Sequence, residues 1–222
     1  MNTNYKAIMF DLDGTLLNTT KDIGLALETT LNTKFTDSQV DNFVGRGLRN
    51  AIKDALLFLG QNPTNMDLDK AESVLIDNYR KVPVKYTVPY PQIPNVLERL
   101  QNNKIKLGVF SNKEQDLVDI ILPICLPKIN FCFTAGWHGK YQPKPSSDAI
   151  DSFCSQLSIK KIDMLYIGDS DVDYKTAINS NVDYRILTWG TRTREQLLNS
   201  GIPQEKLIDN ISEILRFFPS LV

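Results

Sequence analysis

Ala7-Ile8-Met9-Phe10-Asp11-Leu12-Asp13-Gly14-Thr15 is the stretch that decides the fold. Four apolar residues without alternation, closed by a glycine turn, predict a short strand buried on both faces, as in a parallel sheet. Comparable bursts return only much later, at residues 105–110, 131–133, 164–167 and 184–187. The stretches between these later bursts carry helical spacing, for example Leu117, Ile120, Ile121 and Ile150, Phe153, Cys154, Leu157. Strand and helix in alternation predict a doubly wound α/β sheet. Ligands of such sheets gather at the carboxyl ends of the strands, so the residues just after each burst matter most.

The interval between the first two bursts is far longer than one crossover helix requires. It holds three segments of helical spacing: Ile23, Leu27, Leu31; Ile52, Ala55, Leu56, Leu59; and Leu68, Ala71, Leu75, Tyr79. Residues 82–91 follow, with Pro83, Pro89 and Pro91 favouring a stiff, extended connector, and a helix is expected to start near Pro94. The expected organisation is a helical domain over residues 18–82, inserted into an α/β core built from 1–17 and 83–222.

The 222 residues are 42% hydrophobic, enough for a core without disulfide or metal staples. Lys and Arg number 25 against 26 Asp and Glu, a net charge of -1. Such a balance gives no long-range attraction to nucleic acid or to an anionic membrane surface. No window approaches the ~18 apolar residues of a membrane helix, and the apolar run before Asp11 is too short for a signal-peptide core. Cys125, Cys132 and Cys154 are odd in number and lack paired-ligand spacing, which predicts free, mostly buried thiols in a cytoplasmic protein.

Asp11 and Asp13 stand just past the first strand. Residues i and i+2 of an extended segment project to one side, so two carboxylates can share a site. Each resists ionising beside the other unless a cation is present, and Mg²⁺ favours a few carboxylates together with water and phosphate oxygens. An ordinary Asp-Gly turn is the bland alternative. The burst at 164–167 ends in Gly168-Asp169-Ser170-Asp171-Val172-Asp173, where Asp169 is placed to complete a cation site with Asp11. Asp173 is expected to order metal-bound water, and Asp171 to face solvent or cap the following helix. Ser111-Asn112 ends the second burst, where a hydroxyl and backbone N–H groups can hold a phosphate oxygen. Lys144 lies between Pro143 and Pro145, which restrict the backbone on either side.

Asp-x-Asp-Gly-Thr after strand one, Ser-Asn after strand two, a lysine between prolines and Gly-Asp-x-x-x-Asp after a later strand: in this order the chain resembles the haloacid dehalogenase superfamily. The resemblance spans the whole chain, with the insertion similar to that superfamily's helical C1-type cap on a Rossmann-like core. Thr15, the motif at 168–173 and the loop Gly45-Arg46-Gly47-Leu48 look most like the phosphoglycolate phosphatase group. The resemblance implies a Mg²⁺-dependent hydrolase acting on a small phosphorylated metabolite through an aspartyl-phosphate. Asp11 would be the nucleophile and Asp13 the general acid and then base. Asp11, the backbone carbonyl of Asp13, and Asp169 would hold Mg²⁺, with Asp173 ordering a water ligand. Ser111 and Lys144 would bind the transferring phosphoryl oxygens, with N–H groups of Leu12, Asp13 and Asn112 assisting. Thr15, Asn112 and Arg46 are the expected substrate contacts.

Two departures stand out. Asn18 occupies a place where members often carry Asp before Ser, and Lys144-Pro145-Ser146-Ser147 lacks the second proline of the usual lysine motif. Arg46, between two glycines, is a candidate for pairing with a carboxylate or second phosphate of the substrate. The sole histidine, His138, is expected at the surface, and Trp137, Trp189 and Arg192 are candidates to border the cleft. Rival readings are a β-phosphoglucomutase-like phosphomutase or a pyrophosphatase on the same scaffold. A dehalogenase would not need the metal, a phosphorylatable receiver lacks so large an insertion, and a bare interaction module would be expected to have lost a motif residue.

Overall fold

The computed structural model describes residues 5–218. The polar opening at 1–4 and the last four residues, 219–222, lie outside the described residues. In chain order the elements are β1 (Ala7–Phe10), β2 (Leu17–Asn18), α1 (Thr20–Leu31), α2 (Asp37–Phe43), α3 (Leu48–Phe58) and α4 (Asn65–Lys81). Then come β3 (Val88–Pro89), α5 (Ile93–Asn102), β4 (Lys106–Glu114), α6 (Gln115–Cys125), β5 (Phe133–Trp137) and α7 (Asp148–Leu157). The chain continues through β6 (Met164–Gly168), α8 (Asp171–Ser180), β7 (Asp183–Leu187), α9 (Arg194–Asn199) and β8 (Leu207–Ile208).

Six strands form one parallel sheet in the order β5-β4-β1-β6-β7-β8. β1 lies between β4 and β6, with Phe10 opposite Val109 on one side and Ile167 on the other. The chain winds outward from β1 through β4 to β5, then crosses back to β6, so the switch in winding direction falls at β1. Period-2 alternation splits the core into two layers. Ile8 and Phe10 pack with Val96 and Leu97 of α5 and Leu117 of α6. Ala7 and Met9 pack on the other face with Ile150 and Phe153 of α7 and Ala177 of α8. Helices on both faces explain why β1 is apolar at every position.

The structure differs from these expectations at four points. The insertion contains four helices, not three: α2 has only Val40 and Phe43 buried, too few for a periodic signal. It is set instead by a capping box, Thr36 accepting from the Gln39 N–H while Gln39 accepts from the Thr36 N–H. The strand expected at 131–133 begins at Phe133 and runs to Trp137, an edge strand that includes Thr134 and Gly136. β8 had no forerunner, since two residues carry no pattern. Of the thiols expected to be mostly buried, Cys154 is buried, Cys125 half-buried and Cys132 exposed.

Residues 82–91, expected as a stiff connector, return the chain beside its exit: Val88–Pro89 pairs antiparallel with Leu17–Asn18. Asp22, in the first turn of α1 and 1% exposed, fastens this pair. Its carboxylate accepts from the N–H groups of Lys85, Tyr86 and Thr87 at 2.8–3.1 Å and from the Thr87 hydroxyl at 2.6 Å. Among the described residues no helix is long and apolar enough to cross a membrane.

Candidate active site

The carboxyl ends of β4, β1 and β6, the three central strands, bring together residues more than 150 positions apart. Asp11 follows β1 and is 4% exposed. Its Oδ1 lies 2.7 Å from Lys144 Nζ, which also lies 2.8 Å from Asp173 Oδ1. Asp11, Asp169 and Asp173 each offer a carboxylate oxygen within 4.8 Å of the others. Three buried carboxylates thus share one lysine, and their electrostatics follow. Burial, opposed by Lys144, pushes the Asp11 carboxyl well above the ordinary carboxylate range. Burial and the neighbouring Asp173 push Asp169 up to about 6. Burial also works against Asp173, but Lys144 and hydrogen bonds from Lys144, Ser170 and Tyr166 hold it below the ordinary value. Lys144 is likewise penalised by burial, and Asp11 and Asp173 more than reverse that. A cluster with surplus negative charge and hard oxygen donors fits a divalent cation.

The surrounding residues hold this cluster in place. Thr15, expected to touch substrate, is fully buried and its hydroxyl donates to Asp169 Oδ1 at 3.1 Å. The Thr191 N–H and hydroxyl donate to Asp169 Oδ2 at 2.7 and 2.8 Å. Gly14 sits at φ +81°, and a Cβ there would lie 2.4 Å from Asp169 Oδ2, so the turn after Asp13 excludes every larger residue. Asp173 occupies the third turn position of α8, where Ser170 and Asp173 cap one another, and Tyr166 donates to its Oδ1 at 3.0 Å. Asp171 pairs instead with Lys175 on the helix surface.

Ser111 was expected at a strand-to-helix junction, yet β4 continues to Glu114. Its pairing with β5 shifts register between Phe110 and Glu114, and such a bulge re-aims side chains. Ser111, 1% exposed, lines the cavity above Asp11. Asn112 uses its side chain on the backbone of Lys144, accepting from the N–H at 2.8 Å and donating to the carbonyl at 3.2 Å. That clamp, with the flanking prolines, fixes the lysine loop.

The cavity has Asp11, Asp13, Ser111, Asn112, Lys113 and Lys144 on one side. The other side comes from the insertion: Ile23, Val44, Gly45, Gly47, Leu48 and Ala51. Gly47, at φ +85°, brings its backbone so near the Asn112 carbonyl that a Cβ would lie 3.1 Å from it. Arg46 does not line this cavity. Its guanidinium pairs with Asp54 and borders an adjoining depression that also contains Arg49 and Trp137. His138 is exposed and pairs with Glu114 at 2.9 Å. Trp189 packs on Tyr90, away from the cavity. Arg192, the third candidate rim residue, donates to the carbonyls of Asp41 and Val44 at 3.2 and 3.1 Å and so holds the cavity loop from the core side. Neither Asp22 nor Lys113 was singled out from the sequence and Arg192 was left unranked, because each acts through partners distant along the chain.

Comparison with known proteins agrees with this geometry. The family model described as haloacid dehalogenase-like hydrolase matches residues 8–186. A phosphoglycolate phosphatase of Aquifex aeolicus (strain VF5) is 32% identical over 206 residues, 89% of this chain and 90% of that one. One from Psychrobacter arcticus is 28% identical over 201 residues, covering 82% and 83%. A crystal structure from Lactobacillus delbrueckii subsp. bulgaricus, provisionally described as a phosphoglycolate phosphatase, superimposes with a TM-score of 0.85 at 27% identity, over 97% of this chain and 98% of that one. CbbY from Rhodobacter sphaeroides in complex with phosphate, 18% identical, shares the fold with a TM-score of 0.78 over 97% and 99%. The chain belongs to the haloacid dehalogenase-like hydrolase family.

Proposed function

We propose that the protein is a Mg²⁺-dependent phosphatase of small phosphate monoesters of the phosphoglycolate type, working through an aspartyl-phosphate on Asp11. The observation that carries this reading is the buried set Asp11, Asp169, Asp173 and Lys144 at the sheet's switch point. Three carboxylates with one ammonium suit a dication plus a phosphoryl group and suit little else. Asp11, Asp169 and the Asp13 backbone carbonyl would hold the ion, with Asp173 behind them. When bound, Mg²⁺ supplies charge neutralisation for the nucleophile and the phosphoryl oxygens.

The chain's own residues do the remainder. An Asp11 oxygen attacks phosphorus as the bond from phosphorus to the leaving oxygen breaks, and Asp13 gives its proton to that oxygen. In the second half, Asp13 takes a proton from water as water attacks phosphorus and the bond to Asp11 breaks, releasing phosphate. Lys144 and the Ser111 hydroxyl hold phosphoryl oxygens, and this fixed positive and polar frame is what phosphoryl transfer chiefly needs. Residues 18–82 act as a cap over the site. Its Ile23, Val44, Leu48 and Ala51 wall favours a short leaving group and screens the site from bulk solvent, leaving room for the water of the second half. Phosphate release from phosphoglycolate, glycerol phosphate and 4-nitrophenyl phosphate, with and without Mg²⁺, tests the reading. Turnover that is metal-dependent and falls at least ~10⁴-fold in Asp11→Asn is expected; near-normal turnover by Asp11→Asn sinks the proposal.

A further inference from the structure

Lys113 is a buried cation that the reaction above leaves without a task. It follows Ser111-Asn112 on β4 and is 2% exposed. Its Nζ lies 3.0 Å from Asp13 Oδ1 as an ion pair. The same ammonium donates to the Tyr79 hydroxyl at 2.9 Å and stands 4.4 Å from the centre of the Tyr79 ring. Tyr79 is 1% exposed and belongs to α4, the last helix of the insertion. One ammonium therefore touches the sheet, the turn after β1 and the cap at once.

Such a placement is costly unless it does something. Burying an ammonium is unfavourable until its partners compensate. A lysine stem also gives up rotamer freedom when fixed. A methionine or leucine of similar volume would fill the space at less cost. The partners explain the choice: Asp13 sits in a turn and needs something to aim its carboxylate. The phenol and ring of Tyr79 fix the ammonium that does so. Lys113 does not lie among the three carboxylates around Lys144, so its charge is not spent on them.

We infer that Lys113 is a positioning residue that aims the Asp13 carboxyl at the leaving oxygen and is itself seated by Tyr79 of the cap. The inference rests on the proposed role of Asp13 and adds a condition to it: proton delivery requires α4 to be docked. A leaving group that departs as a stable anion needs little protonation, whereas an alkoxide needs it fully. Loss of the positioning contact must then penalise alkyl phosphates more than aryl phosphates, a split that general loosening of the fold would not produce.

The test compares wild type, Lys113→Met, Lys113→Arg, Tyr79→Phe and Asp13→Asn on phosphoglycolate and on 4-nitrophenyl phosphate at saturating Mg²⁺, with melting temperatures alongside. Asp13→Asn sets the reference split. Lys113→Met is expected to lose at least about 100-fold in kcat/KM, which reports the half-reaction that expels the leaving group, on the alkyl ester and under about tenfold on the aryl ester. Lys113→Arg should recover part of the alkyl rate, and Tyr79→Phe should show a smaller split of the same sign. Should Lys113→Met fail to fold, Tyr79→Phe carries the test, because it keeps the ring and removes only the acceptor. Equal losses on both esters, or an alkyl rate within threefold of wild type, overturns the inference while leaving the proposed function standing. No split in Asp13→Asn overturns the role of Asp13 and the inference with it.

Discussion

The two ends of the same parallel sheet treat buried acid in opposite ways. At the carboxyl ends, Asp11 and Asp169 are held above the ordinary carboxylate range, Asp169 at about 6. At the amino end of β7, Asp183 is held down at about 2. Burial pushes all three upward, so burial does not decide the sign. The ratio of partners does. Asp183 alone receives Lys206 at 2.6 Å, Arg185 at 2.9 Å, the Tyr184 N–H at 2.7 Å and the Tyr5 hydroxyl. At the other end one lysine serves three carboxylates: Asp173, which also takes the Ser170 and Tyr166 hydroxyls, is held below its ordinary value, and Asp11 and Asp169 are not. One end gains stability from its charges; the other carries a cost that, on the proposed function, a dication and a phosphate would relieve.

Removing a lysine from each end is the strongest way to break this comparison. Lys144→Met leaves the three buried carboxylates without a cation and should cost about 3–5 kcal/mol in denaturant unfolding of the metal-free protein. It should also lower turnover about 10²–10³-fold. Lys206→Met leaves Asp183 with Arg185 and should cost under about 1 kcal/mol with turnover unchanged. Equal destabilisation by the two would remove the contrast.

The two attachments of the helical insertion to the sheet domain sharpen it next. At the hinge, Asp22→Ala strips three backbone N–H groups and a hydroxyl of their shared buried acceptor, a loss of about 3 kcal/mol measured by urea unfolding. At the rim, Arg192→Ala releases only two carbonyls of the loop that walls the cavity. KM should rise about tenfold with kcat nearly constant. A stability loss as large as that of Asp22→Ala would mean the rim is structural. An unchanged KM would mean the loop is held without it.

How far the chain disclosed this arrangement follows from the range of each signal. β1 and Asp11, Asp13 and Asp169 were legible because strand-end motifs lie within five residues of an apolar burst and sheet topology converges such ends, and Lys144 was legible by the prolines on either side of it. Helices α1, α3 and α4 were legible by period. Arg46 drew attention through flanking glycines, yet Asp54, one helical turn or two further on, takes its guanidinium. Thr15 drew attention as a substrate contact, yet it is fully buried and its hydroxyl is spent on Asp169. Asp22, Lys113 and Arg192 meet partners 34 to 151 positions away. Nothing local encodes such pairings.

A further small effect isolates the stable end of the sheet from the acids at the other. A carboxyl depressed from 3.8 to about 2 in the folded protein binds protons less readily there than in the unfolded chain. Its contribution is therefore complete above about pH 4 and is lost as pH falls from about 4 towards 2. The full shift would correspond to roughly 2.5 kcal/mol, but Asp183 is 28% exposed and solvent screens its partners, so about 1 kcal/mol is expected. Asp183→Asn should thus be about 1 kcal/mol less stable than wild type at pH 6, and the two should converge near pH 2–3. Because Asp11 and Asp169 have raised values, their protonation on acidification acts in the opposite direction and is common to both proteins. The difference between the two unfolding curves therefore reports Asp183 alone. A gap that stayed constant down to pH 2 would show that the hydrogen bonds of the carboxamide, not charge, distinguish the variant.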